Sequence, residues 1–249
     1  MRLRRIHPDP AAVTVEEVAE SLRPAERATA QRPLMICNMV STADGKATIE
    51  GRSGPIGGDA DRRLFHALRG QVDAILVGTG TLRVERYGRL VRDPAAREAR
   101  VRRGLAADPL ACIVTRSGRV PLDIPLFADP DSTVVIYSAG PVEPGNPQAR
   151  VEVTRLSPDD FGMAAALRRL REDHGVRSVL CEGGPTVLGA LLRERAVDEL
   201  FLTVAPRLVG GEVALTIVGG PPLSEPAGLG LVWALESQGE LLLRYAVEG

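Results

Sequence analysis

The stretch that decides the fold is VLCEGGPTVLGALLRERAVDEL, residues 179–200. An apolar strand, SVLC (178–181), ends at Glu182, and Gly183 and Gly184 then allow positive φ or a close backbone approach. Pro185 follows at what suits a first helical position, and Val187, Leu188, Leu191 and Leu192 make one stripe of a helix over 185–196. The free N–H groups at such a helix start point back to the strand edge, where anions such as a pyrophosphate bind in open α/β sheets. A plain tight turn between strand and helix is the competing reading, since the stretch is neither a full GxGxxG nor a Walker sequence.

Working outward, short apolar runs alternate with helical segments from Leu34 onward. Strands are expected at 34–40, 73–78, 111–115, 133–137, 178–181 and 199–206, with a closing pair, GLVWALESQ and ELLLRYAV, turning at Gly239. Helices are expected at 59–70, 94–104, 157–175 and 185–196. Several central strands are almost wholly apolar, as when helices cover both faces of a mostly parallel sheet, so the fold class is α/β. The last strands, close together without helices between them, predict an antiparallel C-terminal hairpin. Residues 11–32 read as a peripheral helix, with a Thr14/Glu17 capping box and a stripe of Val15, Val18, Ala19 and Leu22, so residues 1–32 are expected to form an N-terminal helical extension to a domain over 33–249. GPVEPGNPQAR (140–150) reads as a surface loop.

Composition removes whole classes of function. Lys and Arg number 31 against 32 Asp and Glu, interspersed along the chain, so no nucleic-acid surface is indicated. No run approaches the roughly 20 apolar residues of a membrane helix, and MRLRRIHPDP is followed by TVEEVAESLRPAER, which is no signal-peptide core. A cytoplasmic protein is expected. Cys37, Cys112 and Cys181 are odd in number and set among apolar neighbours, as small core residues in a reducing compartment, and no metal site is expected.

Two further stretches bear on chemistry. ILVGTGTLRVERYG (75–88) leaves an apolar strand through Gly78, Thr79, Gly80 and Thr81, and two glycine-rich exits could clasp one extended phosphorylated ligand. NMVSTADGKATIEGRSGPIGG (38–58) contains an Asp44-Gly45 turn and a flexible polar segment that suits a substrate lid or floor, or a plain hairpin. On the next helix Arg62, His66 and Arg69 share one face, either solvated or an anion clamp.

In this order, Ser41-Thr42-Ala43-Asp44-Gly45-Lys46, the Ser53-Gly54-Pro55 turn, Leu68-Arg69, Val77-Gly78 to Thr81, and Glu182-Gly183-Gly184-Pro185-Thr186 with VDEL and AP-x-L-V-G-G after it form one pattern. It resembles the pyrimidine reductases of riboflavin biosynthesis, the 5-amino-6-(5-phosphoribosylamino)uracil reductases, which are the reductase half of a bifunctional deaminase-reductase. The resemblance spans most of residues 34–245. It implies a dihydrofolate-reductase-like three-layer fold with a mixed, mostly parallel sheet flanked by helices, NADPH as cofactor, and a homodimer. Carried over by position, it implies that Ser41, Pro55, Gly78, Thr81, Thr115, Arg116, Gly183, Gly184, Pro185, Thr186, Val187 and Leu188 contact the cofactor. Arg116, at a strand's carboxyl end, also suits a ribose 2′-phosphate on physical grounds. Asn38, Ser53, Arg69, Glu182 and Arg92 would face the substrate, with Arg69 ahead of Arg92 as the cation for its phosphate. Asp44, Lys46 and Glu85 are the candidates for handling a proton or polarising an imine.

The chain departs from that family in two ways. It has no H-x-E with P-C-x-x-C for a zinc deaminase, which predicts a free-standing reductase. Where the family has Asp-Asp-Pro and then Leu-Thr-x-Arg, this chain has Glu85-Arg86-Tyr87-Gly88-Arg89-Leu90-Val91-Arg92, which bears on the substrate. The expected function is NADPH-dependent reduction of a ribosylaminopyrimidine phosphate at C1′ of the opened ribose. A dihydrofolate or pterin reductase, and a non-catalytic NADP- or flavin-binding protein, are the alternatives.

Overall fold

The computed structural model describes residues 1–143, 145–157, 159–211 and 215–248. The apolar runs become the strands of one sheet: β3 (Leu34–Thr42), β4 (Ala74–Val77), β5 (Leu110–Thr115), β6 (Thr133–Ser138), β8 (Ser178–Cys181) and β9 (Glu199–Ala205), with β7 (Arg150–Arg155) at one edge. These seven lie parallel in the order β9-β3-β8-β4-β5-β6-β7. Beyond β9 the sheet turns antiparallel through β11 (Glu240–Glu248), β10 (Gly228–Ser237), β1 (Arg2–His7) and β2 (Ala11–Thr14). Hence the mixed, mostly parallel sheet and the C-terminal hairpin both stand.

β4, β8 and the LMIC start of β3 are almost wholly apolar because both of their faces are covered. On one face Leu34, Ile36, Ile75, Val77 and Leu180 pack with Leu64 and Leu68 of α2 (Asp59–Arg69), Leu82 of α3 (Thr79–Glu85) and Val15 and Val18 of α1 (Val15–Glu20). On the other, Met35, Cys37, Leu76 and Val179 pack with Leu167 and Leu170 of α6 (Met163–His174) and Leu188 and Leu191 of α7 (Pro185–Arg193). The three thiols are free and buried, and Cys37 and Cys181 face each other in register across β3 and β8. A hydrogen bond between these two thiols, together with burial, raises the Cys37 pKa well above its ordinary value, so it packs as a neutral group.

The N-terminal helical extension is corrected. The capping box forms as expected, but the helix it starts runs only over Val15–Glu20, followed by a single 3-10 turn, Pro24–Arg27. Ahead of it, β1 and β2 join the sheet through β10, and only Leu3 of RLRRIH is buried, so no apolar run marks this edge. After β4 the chain continues directly as α3 over Thr79–Glu85, a helix that the sequence reading did not expect. The helix expected over 157–175 starts at Met163; position 158 of that span, position 144 of the expected 140–150 loop and residue 249 of the domain lie outside the described residues. The remaining short helices are α4 (Pro94–Arg102) and α5 (Pro125–Ala128). No helix among the described residues is long and apolar enough to cross a membrane.

The start of α2 has no side-chain cap of its own at Gly58, and Glu240 of β11 supplies one by accepting from the Gly58 N–H. Asp61, one turn on, is driven by burial up to about 6, opposed by a hydrogen bond from Thr203 and reinforced by the Glu240 charge. A carboxyl whose pKa is raised on folding contributes stability that is complete below its unfolded value and is lost as pH rises through its folded one. Stability is therefore expected to fall between pH 4 and 7. In Asp61→Asn that fall, followed by urea denaturation, should be smaller by about 1 kcal/mol or more; an unchanged pH slope would contradict it.

Candidate active site

All seven parallel strands end on one edge of the sheet, and the chain inserts β8 between β3 and β4, the kind of switch point at which α/β sheets bind ligands. This places the two glycine-rich exits side by side. The Gly78 N–H donates to the Gly183 carbonyl at 2.8 Å, and a Cβ on Gly78 would lie 2.8 Å from Cγ2 of Val187 and 3.4 Å from the Gly184 nitrogen. A Cβ on Gly184 would lie 3.0 Å from Oγ1 of Thr81. A side chain at either position would therefore crowd the meeting of the two exits, more severely at Gly78. α7 begins at Gly184 without a side-chain cap; Pro185 has no N–H and the Val187 and Leu188 amides donate to the Gly184 carbonyl, which leaves the Thr186 N–H of this first turn for a ligand. Thr186 is exposed there, whereas Val187 and Leu188 turn their side chains into the core. Thr115 is buried at the end of β5, and exposed Arg116 lies over the Phe161 ring at 4.8 Å.

Beside this junction opens a cavity of about 820 Å³, walled by Asn38, Ser53, His66, Arg69, Thr81, Glu85, Tyr87, Arg92 and Glu182 among others. Its most buried polar cluster joins α2 to the end of β8. Arg69 Nε and Nη2 donate to the two Glu182 oxygens at 2.7 and 2.8 Å, Nη1 donates to the Leu90 carbonyl at 2.8 Å, and the Tyr87 hydroxyl donates to Glu182 Oε2 at 2.8 Å. The guanidinium lies between the Phe65 and Tyr87 rings, at 4.3 and 5.3 Å from their centroids. Burial works against its charge, but the Glu182 carboxylate more than offsets that and keeps the Arg69 pKa above its ordinary value. Behind it, fully buried Arg100 of α4 donates to the Arg69 and Val72 carbonyls at 2.7 and 2.8 Å, fastening the last turn of α2. Burial lowers the pKa of Arg100 to about 10.

The predicted residues separate into three groups. Asn38, Ser53, Arg69, Glu85, Arg92, Thr81 and Glu182 come together on the cavity wall. Glu85 accepts from the Ser53 amide at 3.0 Å and from its hydroxyl at 3.1 Å. Arg92 has no carboxylate within salt-bridge distance among the described residues. Arg69, by contrast, is spent on Glu182. A second group, Gly78, Thr115, Arg116 and residues 183–186, lies along the strand ends. Asp44 and Lys46 fall in neither group. Asp44 accepts from the Thr42 hydroxyl at 2.6 Å and the Gly210 N–H at 2.8 Å, which hold it at about 2, and Lys46 Nζ donates to the Gly211 carbonyl at 3.0 Å. They fasten the loop after β9. Ser41 is buried in β3, and Pro55 is exposed with its carbonyl accepting from Arg207.

Sequence reading missed Tyr87 as a site residue. Its signal was there: a hydroxyl-bearing ring where the family pattern has proline.

Removing one partner of a buried ion pair strands the other charge, at a cost of about 3–5 kcal/mol. Arg69→Met should lower the unfolding free energy by that order in urea titration; a loss under about 1 kcal/mol would show that Glu182 does not depend on Arg69.

The family model for the RibD C-terminal domain matches residues 33–239. The 2,5-diamino-6-ribosylamino-4(3H)-pyrimidinone 5′-phosphate reductase of Methanothermobacter thermautotrophicus is 31% identical over 223 residues, covering 88% of this chain and 100% of that protein. A reductase of the same name from Archaeoglobus fulgidus is 30% identical over 191 residues, covering 76% of this chain and 87% of that protein. A solved pyrimidine reductase-like protein from Corynebacterium diphtheriae matches with a TM-score of 0.76 at 25% identity, covering 95% of this chain and 100% of that one. The joined glycine exits and the Arg69–Glu182 wall both lie within the matched span, and this chain belongs to the RibD C-terminal domain family.

Proposed function

We propose that this protein reduces a ribosylaminopyrimidine 5′-phosphate of riboflavin biosynthesis, using NADPH. The observation that carries this reading is the hydrogen-bonded pair of β-to-α exits at Gly78 and Gly183 beside the substrate-sized cavity. The donors fit a nucleotide: the uncapped start of α7 suits a pyrophosphate, and Arg116 at the end of β5 suits the 2′-phosphate that distinguishes NADPH from NADH. Reduced nicotinamide bound there supplies a hydride to C1′ of the opened ribose.

The chain's own residues position and shield. Arg92, without a carboxylate partner among the described residues, takes the substrate phosphate in place of Arg69. Arg69 and Tyr87 hold Glu182 in one orientation at the back of the cavity. Of the three proton-handling candidates Glu85 stands at the cavity, where the Ser53 amide and hydroxyl fix its Oε1. A pterin reductase would pair an acid, Glu85 or Glu182, with the ring; Glu182 is engaged by Arg69 and Tyr87, and Glu85 is held at Oε1 by the Ser53 amide and hydroxyl. The exposed leucines of the antiparallel end, Leu229, Leu231 and Leu241, support a homodimer through that end of the sheet, and three free buried thiols suit a reducing cytoplasm.

Mixing the protein with NADPH and the ribosylaminopyrimidine phosphate should oxidise the nicotinamide, seen as loss of its absorbance, and yield a ribityl product; no oxidation would overturn the reading. Arg116→Ala should weaken NADPH about tenfold while leaving NADH nearly unchanged. An unaltered preference in calorimetric titration would remove Arg116 from the site.

A further inference from the structure

Resting on that proposed function and deepening it, we infer that Phe161 is a positioning residue for coenzyme choice: its ring seats the Arg116 guanidinium for the ribose 2′-phosphate, and so favours NADPH over NADH. The Arg116 Cζ lies over the half-buried Phe161 ring, 4.8 Å from its centroid, while Arg116 itself is exposed. Each partner is fixed by contacts of its own. The chain after β5 is pressed against the chain after β6: the Ala139 N–H donates to the Thr115 carbonyl at 3.2 Å, and a Cβ on Gly140 would lie 2.6 Å from the Ser117 carbonyl oxygen. That crowding fixes the backbone from which the Arg116 side chain leaves. Phe161 packs against the core that α6 and α7 share, and Glu194 holds the start of α6 by accepting from the Met163 and Ala164 amides at 3.0 and 2.7 Å.

A ring holds a guanidinium differently from a carboxylate. Its negative face attracts the cation without taking any N–H group, so the donor edge stays available to an anion. Asp160, next to the ring in sequence, accepts instead from the Ser157 hydroxyl at 2.7 Å. No carboxylate lies within salt-bridge distance of Arg116 among the described residues. Seating the side chain in advance also reduces the rotamer freedom that binding removes. β5 stands two strands from β8, about 10 Å across the sheet, so a coenzyme whose pyrophosphate meets the Gly184 turn carries its adenosine ribose toward Arg116. NADH lacks the 2′-phosphate, and preference between the two coenzymes therefore reads out the contact.

The test measures Kd for NADPH and for NADH by calorimetric titration in the wild type, Phe161→Leu, Arg116→Ala and the double variant. Phe161→Leu should lose about threefold to fivefold of the NADPH preference with NADH affinity unchanged, whereas a merely structural role would weaken both coenzymes alike. In the Arg116→Ala background the same replacement should leave the preference as it is, because the guanidinium it acts through is gone. A wild-type preference in Phe161→Leu, or the same loss with Arg116 already removed, overturns the inference and leaves the proposed function standing. A wild type that binds both coenzymes equally overturns the NADPH reading with it. If Phe161→Leu does not fold, a ring-fluorinated phenylalanine at 161, which keeps the shape but drains the negative ring face, decides: the preference should fall, and an unchanged one overturns the inference.

Discussion

One backbone hydrogen bond, from the Gly78 N–H to the Gly183 carbonyl, joins the two halves of the site. It can form because β8, which enters the chain long after β4, slots between β3 and β4 and ends level with them. The sheet therefore brings two strand-to-helix turns, about a hundred residues apart in sequence, into direct contact. The absence of side chains at Gly78 and Gly184 then sets how closely α3 and α7 approach. The cavity opens beside that junction.

The second constraint is electrostatic. Glu182 follows the last residue of β8 and is buried, so its charge needs a partner within reach. Arg69 meets it with both oxygens engaged, and Arg100 secures the carbonyl of Arg69 itself. A buried pair of this kind is a poor source of net stability, but it is a strict one for orientation. It engages Arg69, whereas Arg92 on the same cavity wall has no carboxylate partner among the described residues. The altered 85–92 segment thus lines the cavity.

Much of this was legible in the sequence, for identifiable reasons. Central strands covered on both faces must be apolar, so β3 to β6, β8 and β9 announced themselves, and the glycine exits followed from the strands they terminate. Polar edges carry no such mark: β1 and β2 buried too little, and RVEVTR of β7 buries no residue at all. The spacing of Arg62, His66 and Arg69 identified a shared helix face but not how deep each would sit, which depends on a carboxylate 113 residues away from Arg69. Asp44 illustrates the reverse. Its Asp-Gly turn was legible, but the use of its carboxylate depends on the loop after β9, which no local pattern specifies.

Amide hydrogen exchange, compared with and without saturating NADPH, tests the joined junction most directly. Slowed exchange is expected at 78–81 and at 183–187 together, over the same range of NADPH concentration. Slowing at only one of these turns, or at neither, would contradict a single coenzyme site built from both.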